Sequence, residues 1–475
     1  RSAIRWSERV RDVRRSSGRH HLADGAVALL AAVLAVGIWH GFWVAAFGVV
    51  VALLARQPAL VLGLCLVAAA LGSWSGVRAW QQVVPRQLGH FVGWAQLVGD
   101  PTPFGSGLRA TVEIEGERFD AWLYGSSRRK LADRQGGEYV WVEGRRTDLT
   151  GVARRAQVRH VVGRLDVAVV GDVVAGSAMA RASNRVRTNL RRAAEATMEG
   201  DDAALFTGLV IGDDARQPRW LVDDFRASGL SHLTAVSGQN VAFVLAAALP
   251  LLRRLRPWWR WAATVGLIGW FMAITRFEPS VLRAGVMAIL AATAYVRGRQ
   301  AHPLRLLGLA VIALLLVDPL LVWSVGFWLS VGATAGVCAV APWLHARLPG
   351  PAWLRLPVAV TLSAQLGVAL PSMLVFHRLP VMSLPANLAA VPVAGVVMLY
   401  GLPAGLLASA LPPAAQPLVM LPARLGTRWV ATVARVAAAA EPSPGWAAAW
   451  WLLGLVCLVA WLRHRSRATA GDVPI

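Results

Sequence analysis

The sequence predicts a polytopic α-helical membrane protein of about 10–12 spans that carries a small β domain outside the membrane. Of its 475 residues, 56% are hydrophobic and only 16% are charged, and the mean hydropathy is +0.51. The apolar residues fall in blocks long enough to cross a bilayer, unlike the scattered core positions of a soluble protein. Residues 81–175 instead alternate charged and apolar side chains, as strands in water do.

The formal net charge of +22 has three explanations, and the sequence leaves all of them open. Lys130 is the only lysine, so nearly all the positive charge is arginine, as a GC-rich coding background would favour. Membrane proteins also collect Arg and Lys in their cytoplasmic loops. The third explanation is a polyanionic partner such as nucleic acid.

The first segment, residues 1–19, is basic and carries seven arginines. We interpret it as a cytoplasmic anchor, because no small-residue cleavage site follows at the distance a signal peptide requires. The three cysteines, Cys65, Cys338 and Cys457, lie far apart inside apolar blocks. Their positions indicate small core residues and predict neither a disulfide nor a metal site.

Residues 1–80 are expected to hold the basic N-terminus and a first transmembrane group. Its apolar blocks lie near 24–39, 41–55 and 58–77. Residues 81–175 are expected to form the β domain, because runs such as 108–114 alternate apolar and polar residues. Glycine turns such as Gly136-Gly137 separate these runs, which favours a small antiparallel barrel or sandwich.

Residues 176–230 are predicted to form an amphipathic helical connector. One face of its helix carries Met179, Val186, Leu190 and Ala194, and Arg185, Arg187, Arg191 and Arg192 lie elsewhere. Apolar blocks then resume throughout residues 231–475. Within them, residues 416–440 place three arginines at helical spacing, so we interpret this stretch as a helix lying in the membrane interface.

Short basic loops set the expected orientation, because cytoplasmic loops carry an excess of Arg and Lys. The basic stretches are 1–19, Arg56, 253–256, 297–305 and 347–355. Three spans from a cytoplasmic N-terminus place the β domain on the extracytoplasmic side. The side of the C-terminal tail depends on whether residues 416–440 cross the membrane.

With this orientation, polar residues in or beside the later apolar blocks converge on the outer half of the membrane. The segments that carry them are 231–240, 275–283, 318–319, 377–378 and Asn387. An ionisable group in a span costs about 2.5–3.5 kcal/mol, so such groups usually line a wet cavity or pair with one another. The pattern therefore predicts an outward-facing polar vestibule.

Each of these residues also has a purely structural explanation. Arg276 and Glu278 would suit an ion pair at the membrane interface as well as a substrate site. Ser237-Gly238 suits close packing of helices in a membrane. His232 alone suits a hydrogen-bonded position at the interface.

The sequence contains no motif that supports catalysis. The histidines are isolated apart from His20-His21, and Lys130 lacks the glycine-rich context of a P-loop. The acidic pairs at 201–202, 213–214 and 223–224 resemble metal-binding carboxylates, but capping and solvation of helix ends explain them. We therefore predict that the protein is not an enzyme and that it uses no metal or cofactor.

Several short segments together resemble the competence domain of the ComEC family of DNA-uptake channels, over about residues 203–411. These segments are 208–213, 225–240, 279–284, 318–319, 326–330, 363–365 and 385–388, and their order and spacing match the family. The N-terminal spans and the β domain resemble the family's amino-terminal module, whose external part is OB-like. The resemblance thus covers nearly the whole chain.

The resemblance implies a channel, formed by residues 231–475, that passes single-stranded DNA across the bacterial cytoplasmic (inner) membrane in natural transformation. Its implied partners are single-stranded DNA, the lipid bilayer, and other competence proteins such as a DNA receptor and a cytoplasmic translocase; the oligomeric state stays open. Many relatives carry Leu-His where this chain has Gln239-Asn240, which puts a role for imidazole there in doubt. Many also continue into a metallo-β-lactamase-like domain, which this chain does not show.

We expect the strand to pass along polar groups that converge from several spans. These are Ser237, Gly238, Gln239, Asn240, Arg276, Glu278, Ser280, Arg283, Gln365 and Asn387. Trp122, Tyr124, Tyr139 and Trp141 of the β domain are candidates for base stacking, which gives about 1–3 kcal/mol per base. Two rivals remain: a secondary transporter of a small anion or lipid precursor, and a non-transporting membrane scaffold.

Overall fold

The computed structural model describes residues 24–149, 153–234, 238–299 and 302–443, with single positions between 446 and 456. It shows a helical membrane protein with a small β domain, so the predicted fold class is confirmed. Among the described residues, three helices precede the β domain: α1 (Asp24–His40), α2 (Phe42–Leu54) and α3 (Ala59–Gln81).

The β domain is a closed barrel. Its elements are β1 (Gly89–Leu97), β2 (Thr102–Phe104), β3 (Gly107–Ile114), β4 (Glu117–Leu123), α4 (Gly125–Leu131), β5 (Tyr139–Asp148), α5 (Ala153–Gln157) and β6 (Val161–Val174). The strand order is β1-β5-β6-β4-β3, and a pairing of β1 with β3 closes the ring, while β2 extends β3 at its edge. Within the described strands, β4 and β6 pair in parallel and all other pairs are antiparallel. A five-stranded Greek-key barrel is the arrangement that an OB-like domain would have.

The period-two pattern of the sequence builds the interior of this barrel. Leu108, Ala110, Val112 and Ile114 alternate along β3 and are all buried, while the residues between them are partly exposed. Phe119 of β4 is fully enclosed beside them. Burial of these side chains is what holds the small barrel together in water.

The connector folds into three helices, α6 (Ala178–Thr197), α7 (Gly200–Ile211) and α8 (Arg219–Ala227), and a short helix, α9 (Ser231–Thr234), follows it. Leu190 and Ala194 of α6 are buried as predicted, but Met179 is exposed because it lies in the first turn, beyond the core. Arg187, expected away from the apolar face, is instead buried, because carboxylates from two other elements surround it.

The remaining described helices form the larger part of the membrane bundle. They are α10 (Gly238–Leu252), α11 (Pro257–Ile274), α12 (Pro279–Val296), α13 (Pro303–Val317), α14 (Val325–Arg347), α15 (Ala352–Phe376), α16 (Ser383–Ala410) and α17 (Gln416–Ala440). A short 3-10 helix, Pro319–Trp323, leads into α14. Proline at the first position of α11, α12 and α13 starts each helix where its missing N–H costs nothing.

Five described helices are long and apolar enough to cross a membrane: α3, α12, α14, α15 and α16. The apolar helices α1, α2, α10 and α13 are shorter than a full span. The total of about 10–12 spans stays a prediction. Helix α17 packs on α16 through residues such as Met420, Thr427 and Ala434, which are fully buried.

Helices α14 and α15 approach each other until their backbones touch. A Cβ atom added to Gly336 would lie 2.1 Å from the carbonyl oxygen of Ser363, and one added to Gly367 would lie 2.0 Å from that of Gly332. Glycine is therefore required on both helices at this crossing, as is common where membrane helices pack closely.

Candidate functional site

A large cavity, with a volume of about 3520 Å³, runs between the later helices and reaches the barrel. Its wall on α14 includes Gly326, Ser330, Ala333, Val337, Val340 and Leu344, which recur every three to four residues and so form one helical face. The lining extends from Ser324 to Leu344, over which a helix rises about 30 Å. That length is about the thickness of the hydrocarbon core of a bilayer.

The barrel closes over one end of this cavity. Glu113 and Arg118 of the β3–β4 hairpin and His160 before β6 all contribute to the lining. His160 also contacts Asp318, at the start of the 3-10 helix, with Nε2 and Oδ2 3.0 Å apart. The cavity therefore has barrel residues at one end and Trp343 and Leu344, near the end of α14, at the other.

Most of the residues predicted for the substrate path lie on the wall of this cavity. They are Gly238, Gln239, Arg276, Glu278, Ser280, Arg283, Gln365 and Asn387. Asn240 lies apart, buried beneath α7, where its Nδ2 donates to the carbonyl of Leu209 at 3.1 Å. Ser237 lies outside the described residues. A role of these side chains in strand passage stays a prediction.

Arg283 on α12 is the most unusual of these residues. Its side chain is buried, its Nε donates to Ser330 Oγ at 2.7 Å, and its Nη1 lies 3.2 Å from the sulfur of Met287. No carboxylate of the described residues forms an ion pair with it. An ionisable group held inside a membrane without a counter-charge marks a functional position by default.

A second polar group on the cavity wall joins α15 to the start of α16. Gln365 Nε2 donates to Ser383 Oγ at 2.8 Å, and Asn387 Nδ2 donates to the Ser383 carbonyl at 2.7 Å. Gln365 Oε1 is buried and has no hydrogen-bond partner within the described part of the chain. The group thus offers uncharged hydrogen-bonding capacity on a wall that is otherwise mostly apolar.

Arg276, in the turn between α11 and α12, has a different environment. Its Nη2 donates to Asp100 Oδ1 at 2.7 Å and to Asn184 Oδ1 at 2.9 Å. The ion pair with Glu278 considered from the sequence does not form; Glu278 lies nearby on the cavity wall. The charge of Arg276 is therefore neutralised by a residue of the barrel.

Asp100 is the centre of a buried ion network. It lies in the loop between β1 and β2, and its second oxygen accepts a hydrogen bond from Arg187 Nη2 of α6 at 2.5 Å. Arg187 is also 3.6 Å from Asp213, which pairs with Arg191 at 2.7 Å. The network connects the barrel, the connector and the turn before α12, so we call it the Asp100 network.

The electrostatics of Asp100 favour its ionised form. Burial alone would raise the pKa of its carboxyl, but Arg187, Arg276 and the backbone N–H of Gly136 outweigh burial and lower the pKa to about 2. Asp100 is thus a charged anchor at any physiological pH. No sequence pattern indicates this residue, because it stands alone in a Gly-Asp-Pro turn far from its partners in the chain.

The four aromatic residues proposed for stacking do not lie together. Trp122 on β4 packs edge-on against Phe104, with ring centroids 5.0 Å apart, and pairs across the sheet with Asp166 of β6. Trp141 on β5 instead contacts β6 at Gly171, about 17 Å further along that strand. Tyr124 and Tyr139 are exposed. None of the four is part of the cavity lining within the described residues.

Arginine side chains nevertheless lie close to the ring of Trp122. The guanidinium groups of Arg109 and Arg164 lie 5.9 and 5.0 Å from its ring centroid. Each arginine also pairs with an aspartate, Asp120 and Asp166 respectively, and Asp120 pairs in addition with Arg159. Among the described residues, no group of His, Cys, Asp and Glu side chains is placed to hold a metal ion.

Comparison with known proteins gives a consistent family. A family described as competence protein matches residues 209–466. An uncharacterized protein of Escherichia coli K12, YcaI, is 30% identical over 208 residues, which is 40% of this chain and 27% of that protein. Competence protein ComA of Neisseria gonorrhoeae is 30% identical over 165 residues, or 32% of this chain and 24% of that protein.

ComE operon protein 3 of Bacillus subtilis 168 is 29% identical over 216 residues, which is 44% of this chain and 26% of that protein. The matched segments thus span about a quarter of the length of each of these relatives. No solved structure gives a significant match.

We expect Asp100→Asn to loosen the barrel from the membrane bundle, because Arg187 and Arg276 would lose their shared buried counter-charge. Removing one partner of a buried pair costs about 3–5 kcal/mol. Thermal unfolding in detergent should show a clearly lowered Tm for Asp100→Asn. Asp172→Asn, an exposed aspartate of β6, should leave the Tm within a degree or two. Equal Tm values for both variants would contradict a structural role of the Asp100 network.

The pH dependence of stability should report the same carboxylate. Because folding lowers the pKa of Asp100 from 3.8 to about 2, its contribution is complete above about pH 4 and is lost as the pH falls towards 2. The contribution is about 2 kcal/mol. The difference in Tm between the wild type and Asp100→Asn should therefore shrink between pH 4 and pH 2. A difference that is unchanged across this range would contradict the assignment.

Proposed function

We propose, because this chain belongs to the competence protein family, that it forms a conduit for one strand of DNA across the bacterial cytoplasmic membrane. The observation that carries the proposal is the cavity that follows one face of α14 for about 30 Å with the uncompensated Arg283 on its wall. A cavity of this length reaches across a bilayer, and an arginine on its wall with no acidic partner among the described residues supplies a contact for an anionic chain.

The chemical groups on the cavity wall suit the passage of a DNA strand better than its tight binding. A conduit must attract its cargo without holding it, so a few cationic and hydrogen-bonding groups suit it better than a continuous basic stripe. The cavity combines Arg283 with the uncharged group of Gln365, Ser383 and Asn387 on largely apolar helices. The apolar lining is compatible with contact to bases, and the guanidinium with contact to phosphates.

The remaining parts of the proposal concern the barrel, the mode of action and the partner proteins. The barrel lies on the extracytoplasmic side over the mouth of the cavity, and its exposed aromatic residues are candidates for holding the incoming strand. The protein acts by transport without catalysis. It works with other competence proteins, namely a receptor that delivers DNA and a cytoplasmic translocase that draws the strand inward.

Replacement of Arg283 tests the conduit. Arg283→Gln should reduce uptake of labelled DNA about tenfold or more, because a hydrogen bond to a charged group contributes about 1.5–3 kcal/mol. Arg283→Lys should retain partial uptake, since it keeps the charge but loses the planar fork. Uptake is measured in a strain whose own copy is deleted, with the amount of protein in the membrane checked for each variant.

Arg297→Gln, at the other end of α12 and outside the cavity lining, is the matched control and should transport normally. Normal uptake by Arg283→Gln would contradict the conduit. So would vesicles containing the purified protein that move a small anion but no oligonucleotide, which would favour a secondary transporter.

The sidedness of the barrel is tested by cysteine labelling. Ser126 is exposed on α4, whereas its neighbour Ser127 is buried. With the native cysteines replaced, an impermeant thiol reagent added to spheroplasts should label Ser126→Cys but not Ser127→Cys. Arg254→Cys, in a loop expected to be cytoplasmic, should react only after lysis. Labelling of Ser126→Cys only after lysis would place the barrel on the cytoplasmic side and refute this part of the proposal.

A further inference from the structure

The environment of Arg283 consists of residues that fix the position of its guanidinium group without neutralising it. Ser330 on α14 accepts a hydrogen bond from Nε at 2.7 Å, which fixes the direction of the group. Nη1 faces the sulfur of Met287, a weak acceptor that leaves most of the donor capacity unused. Nη2 has no acceptor among the described residues. Several N–H groups of this arginine, which lines the cavity, therefore have no acceptor within the described part of the chain.

Gly238, the first residue of α10, makes room for this arrangement. A Cβ atom at Gly238 would lie 2.9 Å from Nη2 of Arg283 and 2.8 Å from the Cβ of Ala284. Any side chain at this position would have to displace the guanidinium or separate α10 from α12. The absence of a side chain at residue 238 is therefore a condition for the observed position of Arg283.

We infer that Gly238 and Ser330 are positioning residues that aim the free N–H groups of Arg283 at a phosphodiester in the cavity. Ser330 fixes one edge of the guanidinium, and Gly238 keeps space beside the other. A planar guanidinium held in this way can donate two parallel hydrogen bonds to phosphate oxygens. The inference rests on the proposed function, because it takes the passing strand as the source of the phosphodiester.

A lipid headgroup offers the same phosphodiester chemistry, so the experiment must separate the two sources. The full chain is placed in nanodiscs of phosphatidylcholine or of phosphatidylglycerol. Binding of a fluorescent oligothymidine is followed by anisotropy over a series of salt concentrations, and retained lipid is measured by mass spectrometry. The variants are Arg283→Gln, Ser330→Ala and Gly238→Ala.

We expect Arg283→Gln to weaken oligothymidine binding about tenfold and to lower the slope of log affinity against log salt by about 0.7, the value for one phosphate contact. Ser330→Ala and Gly238→Ala should lower the same slope although Arg283 is still present. The double variant Arg283→Gln/Ser330→Ala should bind no more weakly than Arg283→Gln alone, because the serine acts through the arginine. Ser330→Thr keeps a hydroxyl and should restore most of the slope.

The cavity supplies matched controls. Gly326 lines the same cavity, and a Cβ atom there would meet no other atom within 4 Å, so Gly326→Ala should bind as the wild type does. Ser372→Ala, a cavity serine on another helix, should also leave the slope unchanged. If Gly238→Ala lowers the Tm, then Ser330→Ala and Ser330→Thr decide the outcome.

Unchanged slopes in Ser330→Ala and Gly238→Ala, with a lowered slope in Arg283→Gln, would overturn the positioning role and leave the conduit standing. Loss of retained phosphatidylglycerol in Arg283→Gln with intact oligothymidine binding would identify a lipid as the ligand and overturn the inference. Absence of oligothymidine binding by the wild type, together with absence of DNA uptake in cells, would remove the proposed function as well.

Discussion

A single carboxylate, Asp100, receives guanidinium groups from α6 and from the turn before α12, and through them the barrel is fixed to the helices. Three arginines, Arg187, Arg191 and Arg276, share two aspartates, Asp100 and Asp213, so every charge in this region has an oppositely charged partner. Such an arrangement is costly to desolvate and becomes favourable only when every partner is in place. The position of the barrel over the cavity therefore depends on all three chain segments being folded together.

Two arginines of the cavity wall, Arg276 and Arg283, illustrate opposite uses of the same side chain. Arg276 donates hydrogen bonds to Asp100 and Asn184, so its charge is neutralised within the protein. Arg283 is seven residues further along, is more deeply buried, and has no acidic partner among the residues that the structure describes. Of these two arginines, only Arg283 can offer an unpaired charge to a ligand. Arg276 therefore joins the barrel to the helices, whereas Arg283 is suited to bind a ligand.

Periodicity and composition were sufficient to predict the helical membrane bundle and the alternating strands at residues 108–114, because these depend on local patterns. The family was predicted from the resemblance of short segments, such as residues 225–240, to the competence domain. Convergence of residues such as Ser280, Gln365 and Asn387 also followed from polar groups in apolar surroundings. The Asp100 network could not be predicted in this way. Its members lie up to 176 residues apart, and nothing local distinguishes Arg187 from the exposed arginines beside it.

The sequence also could not assign the aromatic residues of the barrel to inside or outside. Phe119 and Trp122 lie three positions apart on β4 and have similar neighbours in the sequence. Phe119 is nevertheless fully enclosed, whereas Trp122 is partly exposed. Strand register and the closure of the ring decide which face each residue occupies, and both depend on pairings with distant strands.

The contact between α14 and α15 has a mechanical consequence. Because Gly332, Gly336 and Gly367 bring the two backbones together with no side chains between them, neither helix can rotate or slide without a direct clash of main-chain atoms. Helices α14 and α15 therefore form one rigid unit on one side of the cavity. A wider cavity would therefore require movement of other helices that line it, such as α10, α12 or α16, while the contact between α14 and α15 stays unchanged.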